Sequence, residues 1–381
     1  MNLFLAVALP WRKGYRPYTG LLLQHATALK NGKKTRISAI LNASLNLWSR
    51  FVPIPPTTCV MFDNSWTKIE SEAIKLAREN QFDVVWIEHT LSWPFAEKIL
   101  QYFPNSPLVL CSGHNVESRV CQRLQDSKQN SPVYDYFSAQ TRLMNRMELS
   151  AWKKSDIIFH CSDADAKFTR AAIPHGKVFV VPNGVDTQYF QRSSTSTISP
   201  NPTILFTAGF GYHPNIEAVE WFLEHVFTKV LQSVPNCRFL FAGSEAFSLQ
   251  QKLASKLRDF GDSIECVSDP VDIRPYFEKA WVYIVPLQYG GGTRLKILEA
   301  MAMQLPVVST TVGAEGVPYV KDKHLLLADS PEDFRKAIVH LLDNRERRQE
   351  LSNAGYDFVT QNYDWQRIRQ QTLQILRENC Q

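Results

Sequence analysis

The sequence has no C-x-x-C pair, and its seven cysteines (Cys59, Cys111, Cys121, Cys161, Cys237, Cys266, Cys380) are odd in number and scattered. That spacing argues against a disulfide framework and a thiolate zinc site, and it points to a reducing compartment. No apolar run approaches the roughly 18 residues that read as a membrane-spanning helix. The first apolar run, Leu3 to Leu9, is far shorter and has no basic residue before it, so it reads as an opening β-strand, neither signal peptide nor anchor. Asp, Glu and His nowhere cluster at metal-ligand spacing; D-A-D at Asp163–Asp165 falls where a helix should start and reads as capping. Low-complexity tracts and repeats of solenoid length are missing. So is any recognised nucleic-acid-binding motif. What remains is an ordinary globular composition, 44% hydrophobic and 21% charged over 381 residues, a length that suits two domains.

Along the chain, short Val/Ile/Leu/Phe-rich runs alternate with helical patterns. The expected strands of the first half are Leu3–Ala8, Thr35–Leu41, Thr58–Met61, Asp83–Ile87, Leu108–Cys111, Asp156–Cys161 and Val178–Val181. Between them lie helical patterns at Thr19–Lys30, Lys68–Glu79, Phe95–Tyr102, Glu117–Ser127, Tyr136–Lys153 and Asp163–Ala171. Residues 191–202 hold almost no apolar side chain and read as a linker. The alternation then restarts, with strands expected at Thr203–Thr207, Arg238–Ala242, Ile264–Val267, Val282–Val285, Val307–Ser309 and Leu325–Leu327, and helices at Asn215–Leu231, Leu249–Phe260, Ile273–Lys279, Arg294–Met303, Glu332–Leu342 and Arg347–Gln361. Strands of this kind, uniformly apolar and separated by amphipathic helices, predict parallel sheets covered on both faces. The organisation expected is therefore an α/β domain over 1–190, a linker, a second α/β domain over 203–363, and a last helix over about 364–381 that packs back on the first. Ligands of such sheets sit at the carboxyl ends of the strands, which singles out Pro10–Gly14, Glu88, His89 and Ser112–Glu117.

The densest chemistry lies in Y-G-G-G-T-R-L-K-I-L-E-A-M-A, from Tyr289 to Ala302. A glycine turn feeding a helix exposes backbone N–H groups and the positive end of the helix dipole, a combination that suits phosphate. Thr293 is the expected N-cap of a helix over Arg294–Met303. Arg294 and Lys296, opposed to that dipole by about 0.3–1 kcal/mol each, would be relieved by a bound anion. Lys296 and Glu299 share a face, and a carboxylate there suits a ribose. These residues predict a nucleotide-diphosphate site; a glycine turn before a buried helix with internally paired charges would have the same spacing.

Charge is unevenly spread. Residues 1–190 hold 22 Lys+Arg against 15 Asp+Glu, and residues 191–381 hold 20 against 22. A basic first half fits an anionic partner, a phospholipid surface or a phosphate-bearing acceptor, and fits equally a solvated basic surface.

The chain resembles the retaining glycosyltransferases of family 4, the glycosyl transferases of group 1, which have the GT-B fold: two Rossmann-like, doubly wound parallel-sheet domains facing a cleft. V-V-P-N-G-V-D at Val180–Asp186 is similar to the segment entering the interdomain linker. Pro286–Ala302 together with Pro306–Gly316 is similar to the donor-site core. Phe241–Gly243 and Asp269–Phe277 fit the intervening strand and loop.

The resemblance implies a UDP- or GDP-linked sugar donor held mainly by the second domain, through Gly291, Gly292, Thr293, Arg294, Lys296 and Glu299. It implies Gly14 beside the donor phosphates, His114 beside the transferred sugar, and His114, Arg294, Lys296 and Glu299 as the catalytic set. Retained anomeric configuration and no bound metal or other cofactor are part of the same expectation. The acceptor is expected to be a glycan or a lipid-linked sugar in polysaccharide or glycoconjugate synthesis. The expected location is the cytoplasm, with weak peripheral contact at an anionic membrane face. Two departures stand out. The family's Glu eight positions before Glu299 is Gly291 here, and the Arg and Lys usual after the second domain's first strand are absent from Gly209–Asn215. These keep two alternatives open: a sugar-nucleotide 2-epimerase of the same fold, and a non-catalytic sugar-nucleotide or glycan-binding module.

Overall fold

The computed structural model describes residues 3–7, 65–127, 134–193, 198–290 and 294–379. The chain divides into two compact units, Met1–Val181 and Pro182–Asn379. The expected strands Thr35–Leu41 and Thr58–Met61 and the helix Thr19–Lys30 lie outside the described residues.

In the first unit the described elements run β1 (Leu3–Val7), α1 (Ser65–Glu79), β2 (Val84–Glu88), α2 (Trp93–Leu100), β3 (Leu108–Gly113), α3 (Glu117–Ser127), α4 (Tyr134–Lys154), β4 (Ile157–His160), α5 (Asp163–Ala172) and β5 (Val178–Val180). They form a five-stranded, all-parallel sheet in the order β1-β2-β3-β4-β5. V-V-W-I-E, L-V-L-C-S-G and I-I-F-H are apolar without alternation because helices cover both faces. Val85, Ile87, Cys111 and Ile158 are buried among Trp93, Ile99 and Trp152 from α2 and α4. Register then fixes what the strand ends share. Glu88 pairs with Ser112, and Gly113 with His160, so the polar ends of β2, β3 and β4 lie side by side.

The second unit continues with β6 (Thr203–Thr207), α6 (His213–Phe222), a π turn over Leu223–Phe227, α7 (Thr228–Ser233), β7 (Arg238–Gly243), α8 (Ala246–Lys252), α9 (Ala254–Leu257), β8 (Ile264–Ser268), α10 (Arg274–Lys279) and β9 (Val282–Val285). It ends with α11 (Leu295–Ala302), β10 (Val307–Ser309), β11 (Leu326–Leu327), α12 (Pro331–Asp343), α13 (Arg345–Asn362) and α14 (Trp365–Asn379). The sheet is parallel, in the order β11-β10-β9-β6-β7-β8. Its core is aromatic, with Phe206, Phe222, Phe227, Phe239, Phe241 and Phe277 all fully buried. The chain grows from β6 outward through β7 and β8, then returns to the other side of β6 with β9. The β6/β9 boundary is thus a topological switch point, the kind of place in a doubly wound sheet where ligands bind beyond the carboxyl ends of the strands. After β6, residues 208–212 lead into α6; after β9, the described residues are 286–290 and then Arg294, which precedes α11.

Helix boundaries depart from the sequence reading by a few residues in several elements, and two of these departures bear on the site. The expected Asn215–Leu231 helix starts at His213, with Pro214 in its first turn, and carries the π turn in the middle. The donor-motif helix starts at Leu295, with Arg294 as the residue before it (φ −85°, ψ 78°), and Thr293 lies outside the described residues. The D-A-D segment caps α5 as read: Ser162 Oγ accepts from the Asp165 amide at 3.1 Å, and donates back to the Asp165 carboxylate at 2.8 Å. The segment before the linker is tied to α14: Val185 and Asp364 form a β-bridge, and the Val185 N–H donates to the Tyr363 carbonyl at 2.8 Å. Among the described residues no helix is long and apolar enough to cross a membrane, and five cysteines are free thiols.

Candidate functional site

In the second unit, the side chains singled out by the sequence gather at the switch point. Lys296, in the first turn of α11, donates from Nζ to Asn215 Oδ1 at 3.0 Å. Asn215 in turn donates to the Gly209 carbonyl at 2.9 Å, and its own backbone N–H goes to the Tyr212 carbonyl. One amide therefore joins the loop after β6 to the helix after β9. Lys296 Nζ also lies 4.4 Å from the centre of the Phe206 ring, a cation–π distance.

Arg294 is buried, only 7% exposed. Its guanidinium lies against the backbone of Gly290, whose φ is +127°. A Cβ at that glycine would come within 3.0 Å of Nη2, so the turn needs glycine both for its dihedral and for the arginine beside it. Tyr212 and Tyr289 stand exposed at the same turn, and the Tyr289 hydroxyl is 2.6 Å from Nδ1 of His213.

Electrostatics here are set by burial. Desolvation, with Arg294 adding repulsion, holds the Lys296 ammonium down to about 7, and Glu299 offsets only part of this. Glu299 is pushed up to about 7, again by burial first, with Lys296 pulling the other way. Among the described residues no donor is hydrogen-bonded to the Glu299 carboxylate. Two cations beside a helix N-terminus, and a carboxylate one turn further along, make a site that a dianion would relieve and a vicinal diol would satisfy.

In the first unit, His114 follows β3, and its Nε2 pairs with Glu88 Oε1. The other Glu88 oxygen accepts from Trp86 Nε1 at 2.8 Å. The His89 ring stacks on His114 with centroids 5.4 Å apart and planes at 17°. Glu117 Oε1 lies 3.6 Å from His89 Nε2. Beneath them Glu148, fully buried on α4, accepts the backbone N–H groups of Glu117 and Ser118 at 2.6 and 3.1 Å, capping α3 from a distant helix. Burial, then the repulsion of Glu148, pushes Glu117 up to about 7. Burial, then His114, holds His89 down to about 3. His114 itself is raised: burial works against its charge, but the Glu88 hydrogen bond and the charges of Glu88 and Glu117 outweigh it.

Of the residues read from the sequence, Arg294, Lys296 and Glu299 come together in the second unit, and Glu88, His89 and His114 in the first. Gly14, Gly291, Gly292 and Thr293 lie outside the described residues. Sequence reasoning singled out Glu117 only as the end of the Ser112–Glu117 segment, and it missed Asn215 and Glu148. The Asn215 signal was present in H-P-N, where a proline opening a helix just after a strand puts the next side chain at the strand's carboxyl end.

Residues 201–344 match the family described as Glycosyl transferases group 1, and residues 43–189 match Glycosyltransferase Family 4. A probable sucrose-phosphate synthase of Thermosipho melanesiensis is 25% identical over 210 residues, which is 53% of this chain and 48% of that protein. An uncharacterized 44.6 kDa protein in the cps region of Klebsiella pneumoniae is 25% identical over 171 residues, 44% of each chain. The chain thus spans about half the length of these curated relatives. Among solved structures, sucrose-phosphate synthase of Thermosynechococcus elongatus superposes with a TM-score of 0.64 at 17% identity, covering 84% of this chain and 78% of that one. Anabaena HepE, solved in complex with UDP, gives 0.62 at 12% identity, with 82% of each chain covered. Those two likenesses carry the fold. With family matches over both units and a doubly wound parallel sheet in the second, the chain belongs to the group 1 glycosyl transferases, glycosyltransferase family 4.

Proposed function

We propose that this protein transfers a sugar from a nucleoside-diphosphate sugar to a hydroxyl of a glycan or lipid-linked acceptor, with retention of anomeric configuration. The observation that carries the reading is the convergence of Arg294, Lys296 and Glu299 at the switch point of the second sheet. In this reading Arg294 and Lys296 bind the diphosphate, and Glu299 accepts hydrogen bonds from the ribose. His114, in the first unit, meets the transferred sugar. As the anomeric C–O bond to phosphate breaks, the glycosidic bond to the acceptor oxygen forms, the nucleoside diphosphate leaves with the electron pair, and its leaving phosphate oxygen takes the acceptor proton. Charge grows on the leaving phosphate. Fixed cations already in place there stabilise it most, because they need no reorganisation as the bond breaks. The UDP bound by HepE supports a uridine donor as the first to test.

The reading further holds that no metal takes part, since Arg294 and Lys296 supply the positive charge. The test is incubation with a panel of UDP- and GDP-sugars, with and without glycan and lipid-linked acceptors, following nucleoside-diphosphate release. Release that requires an acceptor is the expected result. Conversion of the donor sugar alone would favour a 2-epimerase, and binding without turnover a non-catalytic module. Turnover should persist in excess EDTA; loss in EDTA that Mg²⁺ or Mn²⁺ restores would count against the metal-free reading.

A further inference from the structure

The side chains at the carboxyl edge of the first sheet hold His114 in one particular way. Glu88 Oε1 takes its Nε2, while Glu88 Oε2 accepts from the Trp86 indole at 2.8 Å, so both carboxylate oxygens are engaged. An ionised carboxylate only accepts hydrogen bonds, so the neutral His114 ring carries its proton on Nε2; the imidazolium, which the same carboxylate favours, carries a second proton on Nδ1, so the free Nδ1 acceptor belongs to the ring above its raised pKa. Among the described residues nothing is hydrogen-bonded to Nδ1, and the His114 side chain keeps 35% of its surface exposed.

The neighbours do not compete for that arrangement. His89, stacked on the His114 ring, is locked with φ at +70°; its backbone N–H donates to the Ser112 carbonyl, and its Nδ1 accepts from the Leu91 N–H at 3.4 Å. Its own proton is therefore on Nε2, toward Glu117 at 3.6 Å. The charged or titratable groups acting on His114 are Glu88 from β2, His89 just after it, and Glu117 from α3. Behind them, Glu148 on α4 and Asp165 on α5 act on Glu117.

We propose that Glu88 is a positioning residue: it fixes the Nε2–H tautomer and the ring plane of His114, leaving Nδ1 to accept a hydrogen bond from a hydroxyl of the bound sugar or acceptor. The role of that hydroxyl rests on the transferase reading; the tautomer does not. Trp86 makes the inference sharp. In Glu88→Gln the Trp86 N–H still needs an acceptor, so the amide oxygen faces Trp86 and the amide NH₂ faces His114. Nε2 must then accept, and the proton moves to Nδ1, where it blocks the proposed contact. An orienting carboxylate replaced by its amide produces the wrong tautomer in the same way in serine proteases.

The experiment is long-range ¹H–¹⁵N correlation on the full chain labelled at histidine, with His114 assigned from a His114→Ala variant. Recorded across a pH titration and read above the His114 pKa of each protein, wild type should show the Nε2–H tautomer, and Glu88→Gln the Nδ1–H tautomer with a pKa lower by about one unit or more. The double variant Trp86→Phe/Glu88→Gln frees the amide to turn and should recover the Nε2–H form. Turnover in Glu88→Gln should fall by at least about tenfold in kcat, with nucleoside-diphosphate affinity within about twofold of wild type. An unchanged tautomer in Glu88→Gln overturns the inference, and so does a switched tautomer with full turnover. If wild type itself transfers no sugar from any donor, the transferase reading fails while the spectra still decide the tautomer.

Discussion

Lys296 is an ammonium that the folded chain desolvates and then leaves beside another cation. Among the described residues its hydrogen-bond partner is the Asn215 amide, and its pKa has come down to about 7. A nucleoside diphosphate reverses that situation, because its negative charge favours the protonated amine. Arg294→Ala or Lys296→Ala should weaken UDP or GDP by about 1.5–3 kcal/mol, while the affinity for uridine or guanosine stays as it was. Calorimetry that finds equal losses for nucleoside and diphosphate would remove these residues from the phosphate site. The sign of the pH effect also follows. At pH 8 free Lys296 is mostly neutral, so binding should take up between about half a proton and one proton. Glu299, with its pKa near 7, is by then mostly ionised and adds little. At pH 6 Lys296 is already charged and Glu299 largely protonated, so a ribose donating to the carboxylate should release a proton instead. Binding heats measured in two buffers of different ionisation enthalpy read the number directly. Heats that are independent of buffer at both pH values would contradict the assignment.

At the scale of elements, the site exists because α6 and α11 start from strands on either side of a switch point. The ends of β6 and β7 must also close tightly next to it. Gly243 ends β7 with φ at +146°, and a Cβ there would lie 1.9 Å from the Ala208 carbonyl oxygen, in the loop that leads to Gly209 and Asn215. Gly243→Ala should therefore destabilise the protein by about 1–3 kcal/mol and weaken UDP binding with it, through the displaced Gly209 carbonyl. A denaturation midpoint equal to wild type would show that the loop yields freely.

Strands were the most legible elements. Thr203–Thr207, Val282–Val285 and Val307–Ser309 run as read, since a buried parallel strand is an uninterrupted apolar run with turn residues at its ends. From that reading it was a short step to Glu88, His114 and the 286–302 segment, because ligands of such sheets gather at strand ends. Breaks inside helices were not legible. The π turn at Leu223–Phe227 keeps the apolar spacing of a continuous helix, and the Leu249–Phe260 pattern conceals a break at Leu253. Asn215 and Glu148 escaped for another reason. Their partners lie 81 and 30 residues away, and local periodicity carries no record of such pairs.

Taken whole, the molecule distributes its charge along the chain in a way the proposed donor site does not account for. Arg294 and Lys296 belong to the half that holds 20 basic against 22 acidic residues. The surplus lies at the other end: the first fifty residues contain eight Lys/Arg and no Asp or Glu, while residues 51–190 hold 14 basic against 15 acidic. Those first fifty residues fall mostly outside the described structure, so their charge enters as sequence alone. We take this surplus as the basis for weak contact with an anionic lipid surface, where a lipid-linked acceptor would be presented. Each basic side chain near such a surface contributes about 1 kcal/mol, screened beyond a Debye length of about 8 Å at physiological salt. Four such residues, Lys30, Lys33, Lys34 and Arg36, stand within one short stretch. Co-sedimentation should therefore show binding to vesicles containing phosphatidylserine at low salt and none to neutral vesicles, with the bound fraction falling steeply as salt is raised. Replacing those four residues by Gln should abolish the binding and leave UDP affinity unchanged, because the proposed diphosphate contacts lie in the second unit. Indifference to anionic vesicles at low salt, together with equal turnover on a soluble neutral glycan, would separate the basic stretch from the acceptor. The proposed donor site would stand untouched by that result, since the proposal places it on Arg294, Lys296 and Glu299 and on no charge in the first fifty residues.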